Sequence, residues 1–305
     1  MENRAQLIRS GDIRALARAA TAVEDRTPAS QELLRELFPY TGRALNIGIT
    51  GSPGAGKSTL VSQMARILRL EDLQVGIIAV DPSSPFSGGA ILGDRIRMQM
   101  HYSDPGVFIR SMATRGSLGG VAAATSDLAL LLDAAGRDVI LIETVGVGQD
   151  EVEIARLADV TVVVLVPGMG DDVQAIKAGI MEIADVFVIN KADHPGAERL
   201  EREVKAALEL AHRPDGWTPP IVRTVASEGQ GVAEALSEIR RFYNTVPRSR
   251  RTIENWALRL REMMKDRLME RFSFEEFRAA ARDVAARRRD PYSVINELLG
   301  ERTRN

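Results

Sequence analysis

An eight-residue stretch, Gly51-Ser52-Pro53-Gly54-Ala55-Gly56-Lys57-Ser58, constrains the fold more than any other part of this sequence. It has the Gly-x-x-x-x-Gly-Lys-Ser pattern of a phosphate-binding loop, which requires a strand before it and a helix after it. An apolar run ends at Thr50, and apolar residues at helical spacing follow from Thr59 onward. In such a loop, backbone N–H groups and the helix N-terminus bind phosphate. The motif therefore predicts that Lys57 contacts the β- and γ-phosphates and that the Ser58 hydroxyl binds Mg²⁺.

Apolar runs rich in valine and isoleucine alternate with helical segments between Leu45 and Val246. Runs of this kind are typical of strands that are covered on both faces of a parallel sheet. We therefore predict an α/β fold: a mostly parallel P-loop NTPase sheet flanked by helices, with helical N-terminal and C-terminal extensions. The predicted strands are Ile47–Thr50, Val75–Val80, Val107–Met112, Val139–Ile142, Val160–Val166, Val186–Ile189 and Ile221–Val225.

The two helical extensions divide the chain into three predicted parts: an N-terminal arm over 1–42, a nucleotide-binding domain over 43–247 and a C-terminal arm over 248–305. In the first arm, Ser10-Gly11-Asp12 predicts a break between helices with an N-cap. The apolar periodicity of this arm is compatible with packing against the core and with docking of a partner. In the last arm, a stripe from Trp256 to Leu268 fits either dimerisation or packing within the chain.

The composition excludes several classes of site. The chain has 305 residues and no cysteine, which excludes disulfides, zinc–thiolate sites, cysteine-ligated iron–sulfur clusters and a cysteine nucleophile. The histidines His101, His194 and His212 lack metal-ligand spacing. The net charge of −2 gives no sign of nucleic-acid binding, and no apolar run is long enough to span a bilayer. Because the N-terminus lacks a signal-peptide apolar core, we expect a cytoplasmic protein without nucleic-acid or membrane partners.

Acidic residues follow two of the predicted strands at the edge of the sheet where phosphates are expected to bind. Asp81 follows the second strand and Glu143 follows the fourth. Carboxylates and hydroxyls at this edge can hold Mg²⁺ directly or through water, so Ser58, Asp81, Asp94 and Glu143 are the predicted metal site. Asp94 and Glu143 are also predicted to position the attacking water, while Lys57 neutralises charge on the phosphates.

A glycine-containing loop, Thr144-Val145-Gly146-Val147-Gly148-Gln149, continues from the strand that ends before Glu143. The Gly146 N–H is predicted to contact the γ-phosphate, so this loop would respond to the nucleotide state. Gln149 is a further candidate for orienting water.

A second motif, Asn190-Lys191-Ala192-Asp193, follows the sixth predicted strand and predicts which base is bound. The Asp193 carboxylate accepts two hydrogen bonds from the N1–H and the amino group of guanine, whereas adenine presents a bare acceptor at N1. We expect the stem of Lys191 to cover the base and the backbone N–H groups of Ala226 and Ser227 to contact the guanine O6. The two motifs together predict binding of GTP and GDP with Mg²⁺.

On these residues, the whole chain resembles the methylmalonyl-CoA mutase-associated GTPases, which are similar to the nickel-insertion GTPases. The stretches from Asp81 to Arg95 and from Glu143 to Gln149 are more specific to this family than a generic GTPase motif is. The chain departs from the family at Ala226-Ser227-Glu228, where Ser-Ala is commoner. Further matching stretches are Ser10-Gly11-Asp12, Ala15–Ala19, Gly51–Thr59, Gln174–Ile180, Asn190–Asp193 and Asp290-Pro291-Tyr292.

The resemblance implies a GTP hydrolase that acts as a chaperone of an adenosylcobalamin-dependent acyl-CoA mutase, gating cofactor loading and protecting the mutase. It also implies a homodimer with the C-terminal arms at the interface, and a nucleotide site that includes every residue from Gly51 to Thr59. It implies switch roles for 81–94, 143–148 and 149–156. Because no residue is an assured water-orienting group or arginine finger, we expect slow hydrolysis that the mutase accelerates.

Three other functions stay open at this point. A P-loop kinase would transfer the γ-phosphate to a small molecule or a transport protein, so labelled phosphate would appear on an acceptor. A metal-insertion GTPase would bind a metal cargo, for which the sequence offers neither cysteines nor a histidine cluster. A non-catalytic binding module would keep its chaperone activity when Asp94→Ala removes turnover.

Overall fold

The structure of the protein is a computed structural model that describes residues 4–81, 101, 103–113, 120–144, 156–168, 180–210, 213, 215–269 and 271–300. Within these ranges, the side chains at 81, 113, 120–122, 180, 181 and 248–251 lie outside the description.

The described residues form the strands β1 Leu45–Thr50, β2 Val75–Asp81, β3 Val107–Ala113, β4 Val139–Glu143, β5 Val160–Leu165, β6 Val186–Ile189 and β7 Ile221–Arg223. Each strand lies at one of the predicted apolar runs. Every neighbouring pair is parallel, and the order across the seven-stranded sheet is β3-β2-β4-β1-β5-β6-β7. The predicted fold class is confirmed, because valine and isoleucine runs of this kind are buried on both faces of a parallel sheet.

The helices are α1 Arg4–Arg9, α2 Ile13–Glu24, α3 Pro28–Leu37, α4 Lys57–Leu70, α5 Gly120–Ala134, α6 Ile180–Ile183, α7 Ala197–Leu210, α8 Val232–Thr245, α9 Arg248–Met269, α10 Phe274–Ala285 and α11 Pro291–Leu298. The predicted break before α2 is confirmed, since the Asp12 carboxylate accepts the Ala15 N–H at 2.6 Å and caps the helix. A 3₁₀ turn, Phe38–Tyr40, follows α3. Among the described helices, none has both the length and the apolarity that crossing a membrane requires.

One face of the sheet is covered by α4 and α8. Leu60, Met64 and Leu68 are four residues apart and therefore lie on one side of α4. They are buried in one cluster with Ile47 and Ile49 of β1. The same cluster contains Leu236, Ile239 and Phe242 of α8. This packing fixes the start of α4 against the end of β1.

The opposite face is covered by α5 and the N-terminal arm. Ile140 and Ile142 of β4 are buried on this side, because side chains two residues apart in a strand point to the same face. Ile8, Leu16 and Leu37 of the arm belong to the same buried cluster. Packing against the core, one of the two roles that the sequence left open for the arm, is therefore confirmed.

Asp133, in the last turn of α5, fixes the linker between the arm and the sheet. Its carboxylate accepts the backbone N–H groups of Gly42 at 2.5 Å, Arg43 at 3.3 Å and Ala44 at 3.1 Å. Hydrogen bonds to an ionised acceptor are stronger than neutral ones. One side chain of α5 thus determines where the chain enters β1.

The contacts within the chain define two compact units, Met1–Asn255 and Trp256–Asn305. In the second unit, α10 begins with a capping box: Ser273 Oγ accepts the Glu276 N–H, and Glu276 Oε2 accepts the Ser273 N–H. Asp290 caps α11 by accepting the N–H groups of Tyr292 and Ser293. The predicted division into 1–42, 43–247 and 248–305 stays a prediction.

The strand order places a crevice at the carboxyl end of β1. Along the strand order, β2 lies to one side of β1, while β5 and β6 lie to the other. The connections that leave β1 and β5 therefore run in opposite directions across the sheet. Ligands bind in parallel sheets at this kind of topological switch point. The predicted phosphate-binding loop begins there.

Candidate functional site

The phosphate-binding loop runs from Gly51 to Gly56 and joins β1 to α4. Gly51 has a φ of 136°, and a Cβ atom at this position would lie 2.1 Å from the carbonyl oxygen of Val164 in β5. Gly56 has a φ of 88°, and its Cβ would lie 2.3 Å from Asn190 Nδ2. Both positions require glycine, because the backbone conformation and the close neighbours leave no room for a side chain.

Lys57, the first residue of α4, is buried in the mouth of the loop. Its Nζ donates hydrogen bonds to the carbonyl oxygens of Gly51 at 2.7 Å and Ser52 at 3.1 Å. A buried ammonium requires such partners, since burial of an unpaired charge is costly. The ammonium and the N-terminus of α4 together place positive charge where phosphate groups are predicted to lie.

Ser58 and Glu143 meet at the beginning of α4. Glu143 is the last residue of β4, and its register partner in β1 is Ile49, so the strand pairing carries its carboxylate to the phosphate loop. The Ser58 hydroxyl donates to Glu143 Oε1 at 2.7 Å, and both residues are buried. The structure thus brings together two of the four predicted metal ligands, Ser58 and Glu143.

The other predicted residues of this region are only partly described. Asp81 ends β2, which pairs with β4, so its backbone lies at the same edge of the sheet as Glu143. Asp94 and Gly146 lie outside the described residues, as do Gln149 and the side chain of Asp81. Within the described part of the chain, no group of three or more acidic or histidine side chains is arranged to hold a metal ion.

Asn190 connects the phosphate loop to the end of β7. Its Nδ2 donates to the carbonyl oxygen of Ala55 at 2.8 Å, and its Oδ1 accepts from Thr224 Oγ1 at 3.0 Å and from the Ala226 N–H at 3.1 Å. The side chain is buried. Its amide therefore binds groups of the chain itself. The Ala226 N–H, predicted to contact the guanine O6, donates to Asn190 here. The predicted contacts of Ala226 and Ser227 with guanine stay predictions.

Lys191 and Asp193 follow Asn190 in the direction of the solvent. Lys191 has a φ of 54°, and its Nζ donates to the carbonyl oxygen of Gly54 at 2.9 Å. Its stem thus spans from the end of β6 to the phosphate loop, and its predicted contact with a base stays a prediction. The Asp193 carboxylate is 55% exposed and lies 3.8 Å from His194 Nε2. Its predicted hydrogen bonds to guanine stay a prediction.

The sequence did not single out two polar residues that hold the site together. Thr224 donates to Asn190, and the Thr144 hydroxyl donates to Thr50 Oγ1 at 3.2 Å across β4 and β1. Each of them directly follows a strand of the structure, Thr144 after β4 and Thr224 after β7. Of the predicted histidines, His101 is buried and its Nε2 lies 3.0 Å from Ser62 Oγ, which is a core contact.

Comparison with known proteins relates this arrangement to one family. A family model described as "Methylmalonyl Co-A mutase-associated GTPase MeaB" matches residues 16–277 of the chain. A protein of Pyrococcus abyssi that is named as a GTPase is 50% identical over 310 residues, covering 96% of this chain and 94% of that protein. The mouse protein named "Methylmalonic aciduria type A homolog, mitochondrial" is 41% identical, covering 70% of this chain and 51% of that protein.

A solved structure has the same fold. The crystal structure of a LAO/AO transport system kinase superposes with a TM-score of 0.73 and is 30% identical, covering 97% of this chain and 95% of that chain. The similarity in sequence and in fold therefore extends over the phosphate loop, the Asn-Lys-x-Asp motif and both helical extensions.

Proposed function

Because this chain belongs to the methylmalonyl-CoA mutase-associated GTPase family and is a GTP hydrolase of the P-loop fold, we propose that it couples GTP hydrolysis to the service of an adenosylcobalamin-dependent acyl-CoA mutase. In this role the nucleotide state gates loading of the cofactor and protects the mutase. The family description and the name of the mouse relative support a mutase as the partner. The expected cytoplasmic location stays a prediction.

The observation that carries the catalytic part is the buried hydrogen bond between Ser58 and Glu143, next to Lys57. The Ser58 hydroxyl and the Glu143 carboxylate both present oxygen atoms at the first turn of α4. Mg²⁺ prefers oxygen ligands, so these two residues fit the ion. Ser58 and Glu143 would hold it, with Asp81 and Asp94 as the further predicted ligands. When bound, Mg²⁺ neutralises charge on the phosphate oxygens.

Hydrolysis requires water to attack the γ-phosphorus while the bond to the β–γ bridging oxygen breaks, giving GDP and inorganic phosphate. Lys57 is held by two loop carbonyls and stabilises negative charge on the β- and γ-phosphates. Glu143, and Asp94 as predicted, position the water. Little covalent work is left for the protein, so catalysis consists of positioning and charge stabilisation.

The test measures GTP turnover of the purified protein with and without its mutase. We expect the free protein to turn over far more slowly than about ten per second, the range that partner-activated GTPases reach, and the mutase to accelerate it. Glu143→Gln keeps the shape of the side chain and removes its charge, so turnover should fall about 100-fold, or about 2.7 kcal/mol in the barrier. Glu209→Gln, an exposed change on α7, is the control. Fast turnover of the free protein would contradict the proposal.

A second candidate, a kinase, is favoured by one observation, the similarity to a protein named as a transport system kinase. The fate of the γ-phosphate separates the two functions. With γ-labelled GTP, a hydrolase releases all label as inorganic phosphate. Label on a protein or small-molecule acceptor would favour the kinase instead.

The proposal includes a homodimer formed through α9. The apolar side chains of Leu260, Met263 and Met264 are exposed on this helix, although large apolar side chains are usually buried. An apolar stripe of this kind is compatible with a second copy of the chain, and the family resemblance implies that arrangement.

A further inference from the structure

A groove of about 490 Å³ lies on the N-terminal arm, between α1 and the end of α3. It is lined by Ala5, Gln6, Arg9, Ser10, Glu36 and Tyr40. All of these except Ala5 are exposed, whereas the apolar residues of the same helices are buried against α5 and the sheet. None of the lining residues belongs to the nucleotide site. The arm therefore has an apolar side that packs on α5 and the sheet and a separate, largely exposed polar side.

Arg9 and Tyr40, both in the lining of this groove, contact each other. The Arg9 guanidinium carbon lies 3.5 Å from the centroid of the Tyr40 ring, a cation–π contact that holds the planar group in place. With the rest of the described chain, the Arg9 side chain forms neither a hydrogen bond nor an ion pair. A stacked guanidinium uses its face for the ring and keeps its N–H edge for an acceptor. Carboxylates match that edge through paired hydrogen bonds.

The charge of the arm also favours a partner that carries carboxylates. Residues 4–43 contain seven arginines, all exposed, and five acidic residues, although the whole chain has a net charge of −2. Asp12 caps α2, Glu24 pairs with Arg110 of β3 at 2.5 Å, and Asp25 and Glu36 also have interaction partners. Seven arginines against five acidic residues give the arm a net charge of +2. Phe38, two residues before Tyr40, is 49% exposed and adds an apolar contact beside the groove.

We propose that this Arg9–Tyr40 groove docks an acidic surface segment of the client mutase, with a carboxylate of that segment bound by Arg9 and an apolar residue beside it against Phe38. This inference rests on the proposed function for the identity of the partner. Its evidence is independent, since it uses the net charge of the arm, the stacked arginine and the groove. Arginine and tyrosine are both enriched among the residues that carry most of the binding energy of protein interfaces.

The test measures the affinity of the purified mutase for full-length variants in the presence of a non-hydrolysable GTP analogue. Arg9→Gln should weaken binding about tenfold or more, and Arg9→Glu further, because a carboxylate of the partner loses its charged donor. Arg18→Gln, on the exposed side of α2 outside the groove, removes the same charge and should change the affinity less than twofold. Added salt should weaken binding of the wild type more than binding of Arg9→Gln. Basal GTP turnover should stay unchanged in all variants, and all of them should still unfold cooperatively.

The outcomes separate the two proposals. If the mutase does not bind the wild type, the proposed function fails and the docking proposal fails with it. If the mutase binds and Arg9→Gln binds equally well, only the docking proposal is overturned. The last measurement uses vesicles of phosphatidylcholine and phosphatidylserine. Arg9-dependent binding to these vesicles, without an effect of Arg9 on mutase affinity, would assign the groove to a membrane surface and overturn docking of a protein.

Discussion

Gly51 is the residue at which the phosphate loop passes closest to the sheet, and its substitution gives a first prediction. In Gly51→Ala the Cβ would lie 2.1 Å from the carbonyl oxygen of Val164, at a φ of 136°. We expect a loss of about 2–4 kcal/mol of unfolding free energy and no detectable GTP binding, because the loop must shift. Urea unfolding and nucleotide titration measure both.

Gly136 provides the matched control for this change. It has a φ of 79°, and a Cβ there would meet no atom within 4 Å. Gly136→Ala should therefore cost only the backbone strain, about 1–2 kcal/mol, and leave GTP binding intact. Equal losses in the two variants would contradict the role given to the Val164 carbonyl.

Asn190 and Asp193 belong to one motif, but the structure predicts different effects for them. Asn190→Ala removes the hydrogen bonds to Ala55, Thr224 and Ala226, so it should loosen the phosphate loop and weaken GTP and ATP alike, by about tenfold or more. Asp193→Asn should weaken GTP but spare ATP, since only the guanine contacts are changed. Competition titrations with both nucleotides measure this difference. A purely guanine-specific effect of Asn190→Ala would contradict the positioning role.

The sequence was sufficient to predict which residues of the site carry charge, but not all of their contacts. Lys57 and Ser58 follow from a local motif. The strand before this motif and the helix after it fix its geometry. The partners of Asn190 could not be predicted, because Ala55, Thr224 and Ala226 come from two other loops. Those loops become neighbours only through the order of the strands.

At the scale of elements, local composition predicted the strands well. Each run of valine and isoleucine became a strand within about two residues of its predicted ends, because burial on both faces requires an unbroken apolar run. The order of the strands was not predictable in this way. It depends on which side each crossover takes, and the placement of β1 between β4 and β5 is a property of the whole sheet.

The loop before β7 is tied to β6 by Arg213, and this contact predicts a pH dependence. The Arg213 guanidinium donates to Asp185 at 3.0 Å and to Asp215 at 2.6 Å. Its hydrogen bond holds the pKa of Asp215 below the usual range, against the opposing effect of burial, and the Trp217 N–H lowers that pKa further. A carboxyl whose pKa is lower in the folded state stabilises the fold above its unfolded pKa of about 3.9. This stabilisation is lost as the pH falls towards the folded value.

Asp215→Asn should therefore be less stable than the wild type at pH 7, and the difference should shrink steadily below about pH 4. Thermal unfolding of both proteins across this range measures it. Glu209→Gln, an exposed change on α7, is the control here as well. A difference that is constant with pH would mean that the Arg213–Asp215 pair contributes through shape and not through charge.

At the scale of the whole molecule, the proposed homodimer can be tested on α9. Met264 is 74% exposed, and Met264→Glu would place a charge in the apolar stripe. We expect light scattering to show a dimer for the wild type and a monomer for this variant, because an interface core does not accommodate an unpaired charge. A chain that ends at Pro247 should also be a monomer.

Lys265→Gln changes the net charge by the same amount next to this position and should leave the dimer intact. A dimer that survives both Met264→Glu and the shortened chain would remove α9 from the interface.

The packing of the N-terminal arm on α5 has a consequence for the synthesis of the chain. The arm leaves the ribosome before α5 and the strands, yet Leu16, Val23 and Leu37 are buried in a cluster that also needs residues of α5 and the sheet. At about 5–20 residues per second, the apolar side of the arm waits several seconds for those partners. Contacts between residues so distant in sequence also form slowly. The arm is thus made before the elements that bury it, and it can reach its final place only after they have emerged.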